Sequence, residues 1–271
     1  MFYGSTFIFD DIPGENYNLC ILDFEKTGGE GDSSAGSESK IYKTWLYRKP
    51  RPYFYGRSFE TPLSFDFTVG SFDPIIGIDR SLIERWLLGR NTYLPLQICQ
   101  DDISSVYFNV IFTSAKNKYI GNIHQGITLN AECDAPFGFT EEKTYSCTVD
   151  GDGSITNSTF NFDNQSDDTD YLYPSIVFQT NDIGTSVSLT NNTDEGRSFA
   201  FGGIGYDPIS VNETITVNNY NQTIVSDSGL RRLSKFNKKW FRLLPGINSL
   251  TLVGGLLSFQ IVYKFARKIG A

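Results

Sequence analysis

Histidine is almost missing from this sequence: His124 is the single one among 271 residues. Any Ser-His-Asp or Cys-His catalytic arrangement would have to use it. It lies in the turn-forming run Gly121 to Gly126, where a structural role is the simpler reading. The four cysteines, Cys20, Cys99, Cys133 and Cys147, are far apart and form no C-x-x-C. Zinc-ligand spacings are therefore absent, and buried free thiols are expected. No window approaches the roughly 20 apolar residues that cross a bilayer. The nearest, Leu250 to Phe265, is interrupted by Gly254, Gly255, Ser258, Gln260 and Lys264. The first residues lack the basic start and apolar core of a secretory signal. This predicts synthesis in a reducing cytoplasm and no membrane insertion.

Signs of chemistry are equally sparse. No pair of carboxylates is marked out for glycoside hydrolysis, and the Gly-x-Gly runs lack the strand–turn–helix setting of a nucleotide site. Asp150 to Ser154 resembles part of a calcium loop, with Asp150 and Asp152 as oxygen donors. It lacks the third ligand pair and the bidentate glutamate, and turn chemistry accounts for it equally well. Asp167, Asp168 and Asp170 read as a solvated loop cluster. The expectation is a protein that is not an enzyme, with no catalytic residues, no cofactor and no metal.

Positive charge is missing from most of the chain. The formal net charge is −8. Residues 138–229 hold two basic side chains against 14 acidic ones, whereas residues 230–271 hold nine basic and no acidic. The simplest reading is a basic tail folded against its own acidic domain. The sharper one is a basic face for an acidic partner protein. A predominantly acidic chain cannot neutralise many phosphates, so specific nucleic-acid binding is not expected.

What the chain has in abundance is aromatic side chains, 22 Phe and 15 Tyr, with scattered Gly and Pro. That composition favours many short strands over long helices. The pattern pivots on Gly126 to Phe139. Ile127, Leu129, Ala131 and Cys133 alternate with polar residues as a half-buried strand, which ends at Asp134, Ala135, Pro136 and Phe137. These four residues are the expected hinge between a first domain, 1–137, and a second, 138–271. The expected fold is mainly β: two β-sandwich domains, the first with one inserted α-helix, the second galectin-like or jelly-roll-like.

In the first domain the strands expected are Phe2–Asp10, Tyr17–Phe24, Ile41–Tyr47, Leu63–Val69, Leu94–Ile98, Val106–Phe112, Tyr119–Ile123 and Ile127–Cys133. Turns are expected at Asp11–Gly14. The Gly- and Ser-rich run from Lys26 to Lys40 has no apolar residue larger than Ala and reads as a long exposed loop. One helix is signalled by Ser81 and Glu84 as a capping box, with Asp79 as the alternative cap, an apolar stripe of Leu82, Ile83, Trp86 and Leu87, and Gly89 as its stop. The second half shows only strand and turn signals, with Asn191–Asn192, Asn218–Asn219 and Gly254–Gly255 as hairpin turns.

These residues carry a resemblance. The helix containing Trp86 and Leu87, the closing strand with Cys133 and Pro136, the run Tyr173 to Ile176, and the late Phe236-Asn237 and Leu244 to Leu250 follow one another as in the distal tail (Dit) family of long-tailed, non-contractile phages. The resemblance spans nearly the whole chain. It implies a structural role in the virion, at the distal end of the tail: a homohexameric ring around the DNA channel, joining the tail tube protein to the tail-tip hub. It further implies that the second domain projects outward and holds receptor-binding proteins. Binding of host glycans by that domain, as an adhesin, is the alternative. Candidate contacts within the ring or to partners are Lys26, Lys40, Tyr42, Lys43, Trp45, Arg48 and Arg51. An acidic ring would not trap passing DNA.

Overall fold

A computed structural model describes residues 6–22, 39–59, 61–99, 105–147, 155–181, 186–202, 209–210 and 212–268. Lys26, most of the Gly-rich loop and the calcium-like run at Asp150 lie outside the described residues. By packing, the chain divides into two compact units, 1–140 with 267–271, and 141–266.

The first unit opens with β1 (Thr6–Phe9) and β2 (Ile12–Pro13). The turn between them is Asp10–Asp11, not Asp11–Gly14, and both aspartates have positive φ, 53° and 59°. That backbone suits a two-residue hairpin, and Asp tolerates it better than most residues. A 3-10 turn at Gly14–Tyr17 leads to β3, which is only Cys20–Ile21. Left-handed Asn18 (φ 54°) breaks the longer strand expected from Tyr17. Then come β4 (Ser39–Thr44), β5 (Tyr53–Phe59), β6 (Ser64–Gly70), helix α1 (Gly77–Leu88), β7 (Leu94–Cys99), β8 (Val106–Ile120), β9 (Ile123–Cys133) and β10 (Gly138–Thr140).

The main sheet runs β2-β1-β7-β8-β9-β6-β3, with β10 beside β8. It curls so that β1 and β3 approach one another. Phe7, Phe9, Phe67, Phe108 and Phe112 line its inner face, all buried. Helix α1 packs against β8 and closes the curl. It starts at Gly77, four residues before the expected Ser81, and no side chain caps it. Its buried stripe is Ile83, Trp86 and Leu87, while Leu82 faces solvent. Trp86 anchors it, stacked on Tyr17 at 4.7 Å and near Phe7 at 6.0 Å. Gly89 ends it with φ −80°, an ordinary conformation rather than the left-handed one.

The second unit contains β11 (Lys143–Ser146), β12 (Ile155–Asn164), β13 (Ser175–Thr180), β14 (Val187–Asn191), β15 (Arg197–Phe201), β16 (Thr214–Asn218), β17 (Thr223–Ser226) and β18 (Gly246–Tyr263). The two-residue β19 (Ala266–Arg267) follows. The order is β15-β14-β18-β13-β16-β17, with β11 and β12 also on β18. One strand thus serves two layers. Its first half lies between β12 and β14, its second half between β11 and β13. The expected hairpin at Gly254–Gly255 is a bend inside this 18-residue strand. Gly254 has φ +156°, and a Cβ there would lie 2.8 Å from the Ser186 carbonyl oxygen. Gly254 lets β14 approach closely; the pair does not reverse the chain.

Buried polar groups tie the second unit together. Asn248 is fully buried: its amide donates to the Leu244 and Gly246 carbonyls at 2.8 and 2.9 Å, and its oxygen accepts from Leu244 N–H and Asn191, both at 2.9 Å. Asn219 donates to the Pro174 carbonyl at 2.7 Å and accepts from the Phe241 N–H at 2.8 Å. The basic tail does fold against its acidic domain in two places. Arg242 pairs with Asp194 at 2.8 Å, and Arg232 chelates buried Glu213. All four cysteines are free thiols. Only Cys133 is fully buried; burial pushes it up to about 12 and half-buried Cys147 to about 11, so neither is a reactive thiolate.

Candidate functional site

The strands β4 and β5 form a sheet of their own, a two-stranded ribbon outside the main sheet. Residues 39–59 contain six basic side chains and no acidic one. Every residue of β4 is exposed, and so is most of β5. The ribbon therefore has no buried face. Aromatic side chains occupy both sides and the tip: Tyr42, Trp45, Tyr47, Tyr53, Phe54 and Tyr55 are all exposed, Tyr47 by 87%.

Local contacts shape the ribbon without covering it. The register slips between Tyr42 and Lys43, opposite Gly56 at φ +129°. That bulge adds twist to the pair. Arg48, at φ +62°, closes a turn in which the Lys49 N–H donates to the Leu46 carbonyl at 3.1 Å. The Ser58 hydroxyl donates to the Tyr42 hydroxyl at 3.3 Å. Lys40 lies over the Tyr42 ring at 5.7 Å and Arg48 over the Tyr47 ring at 5.1 Å. Pro50 and Pro52 leave the tip without two backbone donors.

Of the expected contact residues, Lys40, Tyr42, Lys43, Trp45, Arg48 and Arg51 all fall on this one ribbon or its connecting turn. Tyr47, Tyr53, Phe54, Tyr55 and Arg57 belong with them but carried no expectation. Their signal was present: Tyr53-Phe54-Tyr55 shows no apolar–polar alternation, unlike Leu63 to Val69.

A second exposed apolar surface lies elsewhere on the first unit. The Ile75 N–H donates to the His124 carbonyl at 2.9 Å, which draws the segment before α1 to the β8–β9 turn. Phe72, Ile76, Ile78 and Leu82 on one side, and Tyr119, Ile120 and Ile123 on the other, are exposed there. Asp73 and Asp79 are exposed among them. His124 lies beneath, 8% exposed, its ring 5.2 Å from that of Tyr119. Neither ring nitrogen makes a hydrogen bond of good geometry among the described residues, although the Gly126 and Ile75 backbone comes close. Burial, and then the charge of Arg80, push its pKa below the usual histidine value. Among the described residues no nucleophile or carboxylate is hydrogen-bonded to it.

The expected hinge residues are held on the first unit. The Asp134 N–H donates to the Asn109 carbonyl at 3.0 Å, and the Ala135 carbonyl accepts from Leu63 N–H at 3.0 Å. The Phe137 ring meets Phe139 at 5.5 Å and Phe59 at 6.3 Å. Among the described residues no group of three or more His, Cys, Asp or Glu could hold a metal ion. The loop of Asp167, Asp168 and Asp170 is organised by turn bonds, with Ser166 Oγ accepting from Asp168 N–H and Asp168 Oδ1 from Asp170 N–H. No described helix is long and apolar enough to cross a membrane.

The fold is that of solved phage tail components. The Dit protein (gp 19.1) of phage SPP1, described as a paradigm of the hub adsorption apparatus in phages infecting Gram-positive bacteria, superposes with a TM-score of 0.67 at 15% identity. That match covers 96% of this chain and 98% of the other. A chain of the phage P2 baseplate, in its activated conformation with calcium, superposes with a TM-score of 0.57 at 11% identity over 99% of both chains. No curated relative matches the sequence. Two family models do, a phage tail protein N-terminal domain over residues 2–135 and a phage tail C-terminal domain over 137–263, and with nearly its whole length so matched this chain belongs to that phage tail protein family.

Proposed function

We propose that this tail protein is a distal-tail hub: a homohexameric ring that joins the tail tube to the tail-tip hub and carries peripheral proteins on its second unit. The ribbon is the observation that supports this reading best. An isolated two-stranded hairpin is marginal in water, and one with aromatics on both faces is stable only when covered. Burying six such side chains contributes on the order of 10 kcal/mol, enough to offset a substantial association cost. The covering partner is a neighbouring copy. The ribbon's charge is wholly basic, and the apolar surface around Phe72, Ile78 and Tyr119 carries Asp73 and Asp79. Two different patches meeting head to tail generate a ring when the rotation closes.

Light scattering on the purified protein, with negative-stain microscopy of the same sample, tests this. The expected result is a ring of six. Replacing Trp45, Tyr47 and Phe54 together by Ser is expected to give a monomer with an unchanged unfolding midpoint. A wild-type protein that stays monomeric at all concentrations, and is absent from tail tips in labelled virions, overturns the reading. The glycan-binding alternative has weaker support: one face of Tyr171, an exposed second-unit aromatic, is taken by the Arg242 guanidinium at 3.9 Å. A glycan array separates the two.

A further inference from the structure

The loop after β17 is held unusually tightly for a surface segment. Its anchor is Arg232, 6% exposed, whose Nε and Nη2 both donate to the Glu213 carboxylate. Ser226 and Ser228 hydroxyls and the Ser210 N–H supply the remaining donors to that carboxylate. The backbone is fixed on both sides. The Gly229 N–H donates to the Ser226 carbonyl at 3.0 Å with Gly229 at φ +71°, and the Lys235 N–H donates to the Arg232 carbonyl at 3.0 Å. The Lys235 carbonyl accepts from Gly202 N–H at 2.9 Å, and buried Phe236 bridges to Phe201.

A buried ion pair seldom stabilises a fold more than apolar residues of the same size would; its best-attested product is a specified conformation. Here the specified conformation is an exposed one. Leu230 and Leu233, flanking the pinned Arg232, are 56% and 51% exposed. A loop free to relax would turn leucines inward; this one is clamped with both outward. Arg231, between them, is exposed, as are Lys238 and Lys239 further along. Residues 228–239 contain no acidic side chain, in a unit whose preceding 90 or so residues are strongly acidic.

We propose that residues 228–239 form a preset docking knob for another virion protein, one presenting an apolar cleft rimmed by Asp and Glu. Leu230 and Leu233 fill the cleft; Arg231, Lys238 and Lys239 meet its rim. The fixed backbone removes the ordering cost that a mobile loop would incur on binding. The rim charges set partner choice and the rate of encounter. The same acidic surround that would attract a basic partner to the rest of the unit repels an acidic one, so the knob is where an acidic protein can approach. The assignment rests on membership of the tail, and holds whether or not the ring has six subunits.

Photo-crosslinking in intact virions tests it. A phage carrying benzoylphenylalanine at position 230 is irradiated and the cross-linked peptides are sequenced. The expected product joins position 230 to a different virion protein, at a segment containing acidic and apolar residues. Reversing the rim charges together (Arg231→Glu, Lys238→Glu, Lys239→Glu) is expected to cut the yield by about tenfold or more, because like charges then face one another at the rim. The purified Leu230→Ser, Leu233→Ser protein is expected to keep the wild-type Tm. No cross-link, a cross-link to another copy of this chain, a yield indifferent to charge reversal, or a lowered Tm for the Ser pair each overturns the proposal. None of these outcomes depends on the oligomeric state, so failure here and failure of the ring reading are distinguishable.

Discussion

The two units bury aromatic cores of equal size and differ in what they leave undone. Among the described residues each has 19 buried apolar side chains in one cluster. Among the described residues, however, the first unit exposes 17 large apolar side chains and the second eight. Buried polar groups show the same asymmetry. Among the described residues, Trp86 Nε1, Arg90 Nε and the His124 nitrogens of the first unit lack partners of good geometry, against Asn181 Oδ1 alone in the second, where the Asn248, Asn219 and Glu213 clusters are closed. The difference teaches that equal cores do not make equal domains. The second unit closes most of its buried polar groups within itself, and the first leaves more apolar surface exposed, as the proposed ring requires.

The largest expected effect comes from opening a closed cluster. Asn248→Leu deprives the Leu244 N–H and the Asn191 amide of their acceptor, at a cost of about 3–5 kcal/mol, read as a lower denaturant midpoint for the second unit. Next is acid. Burial alone would raise the Glu213 carboxyl, but hydrogen bonds from Arg232 first, then Ser226 and Ser210, hold it at about 2, below its ordinary 4.5. A depressed carboxylate stabilises above its unfolded value and loses that contribution as pH falls through the folded one. The second unit is therefore expected to lose about 3 kcal/mol between pH 4.5 and 2. Glu213→Gln should flatten that pH slope; an unchanged slope would mean the pair is not formed in solution.

A backbone test comes third. Gly254→Ala forces a Cβ against the Ser186 carbonyl at the bend of β18 and is expected to cost about 1–3 kcal/mol. The smallest effect should come from the first unit. His124→Leu removes two ring nitrogens that make no hydrogen bond of good geometry, only weak approaches to the Gly126 and Ile75 backbone, so a change below about 1 kcal/mol is expected by thermal or denaturant unfolding. If His124→Leu proved as damaging as Asn248→Leu, the contrast between the units would collapse.

Which of these features the sequence announced follows from the range of the interactions. Alternation along Leu63 to Val69 and Ile127 to Cys133 was legible because each strand has one buried face. The helix was legible from its stripe, though not its start, because Gly77 begins it without a side-chain cap. A Gly pair such as Gly254–Gly255 suits a hairpin and a bend equally; only the approach of Ser186, from far along the chain, decides between them. The ribbon's basic and aromatic residues were visible singly. That they share a structure with no inner face depends on pairing across Tyr42 and Gly56, a register no local pattern specifies. The Arg232 clamp was foreshadowed only as a charge imbalance, since its partners Glu213 and Ser210 lie 19 and 22 residues away in sequence.

The strand β18 has a consequence in time as well as in space. It is the shared neighbour of β11, β12, β13 and β14, yet it begins only at Gly246. Those four strands leave the ribosome with this shared partner still unmade, so their pairing with it waits until residues 246–263 have been made. The first unit's β8–β9 hairpin, joined by a two-residue turn, has no such wait. Nascent chains halted before residue 246 should show a protease-resistant first unit and a second unit that is still cut; resistance of both at that length would mean that β18 is a late addition rather than the keystone.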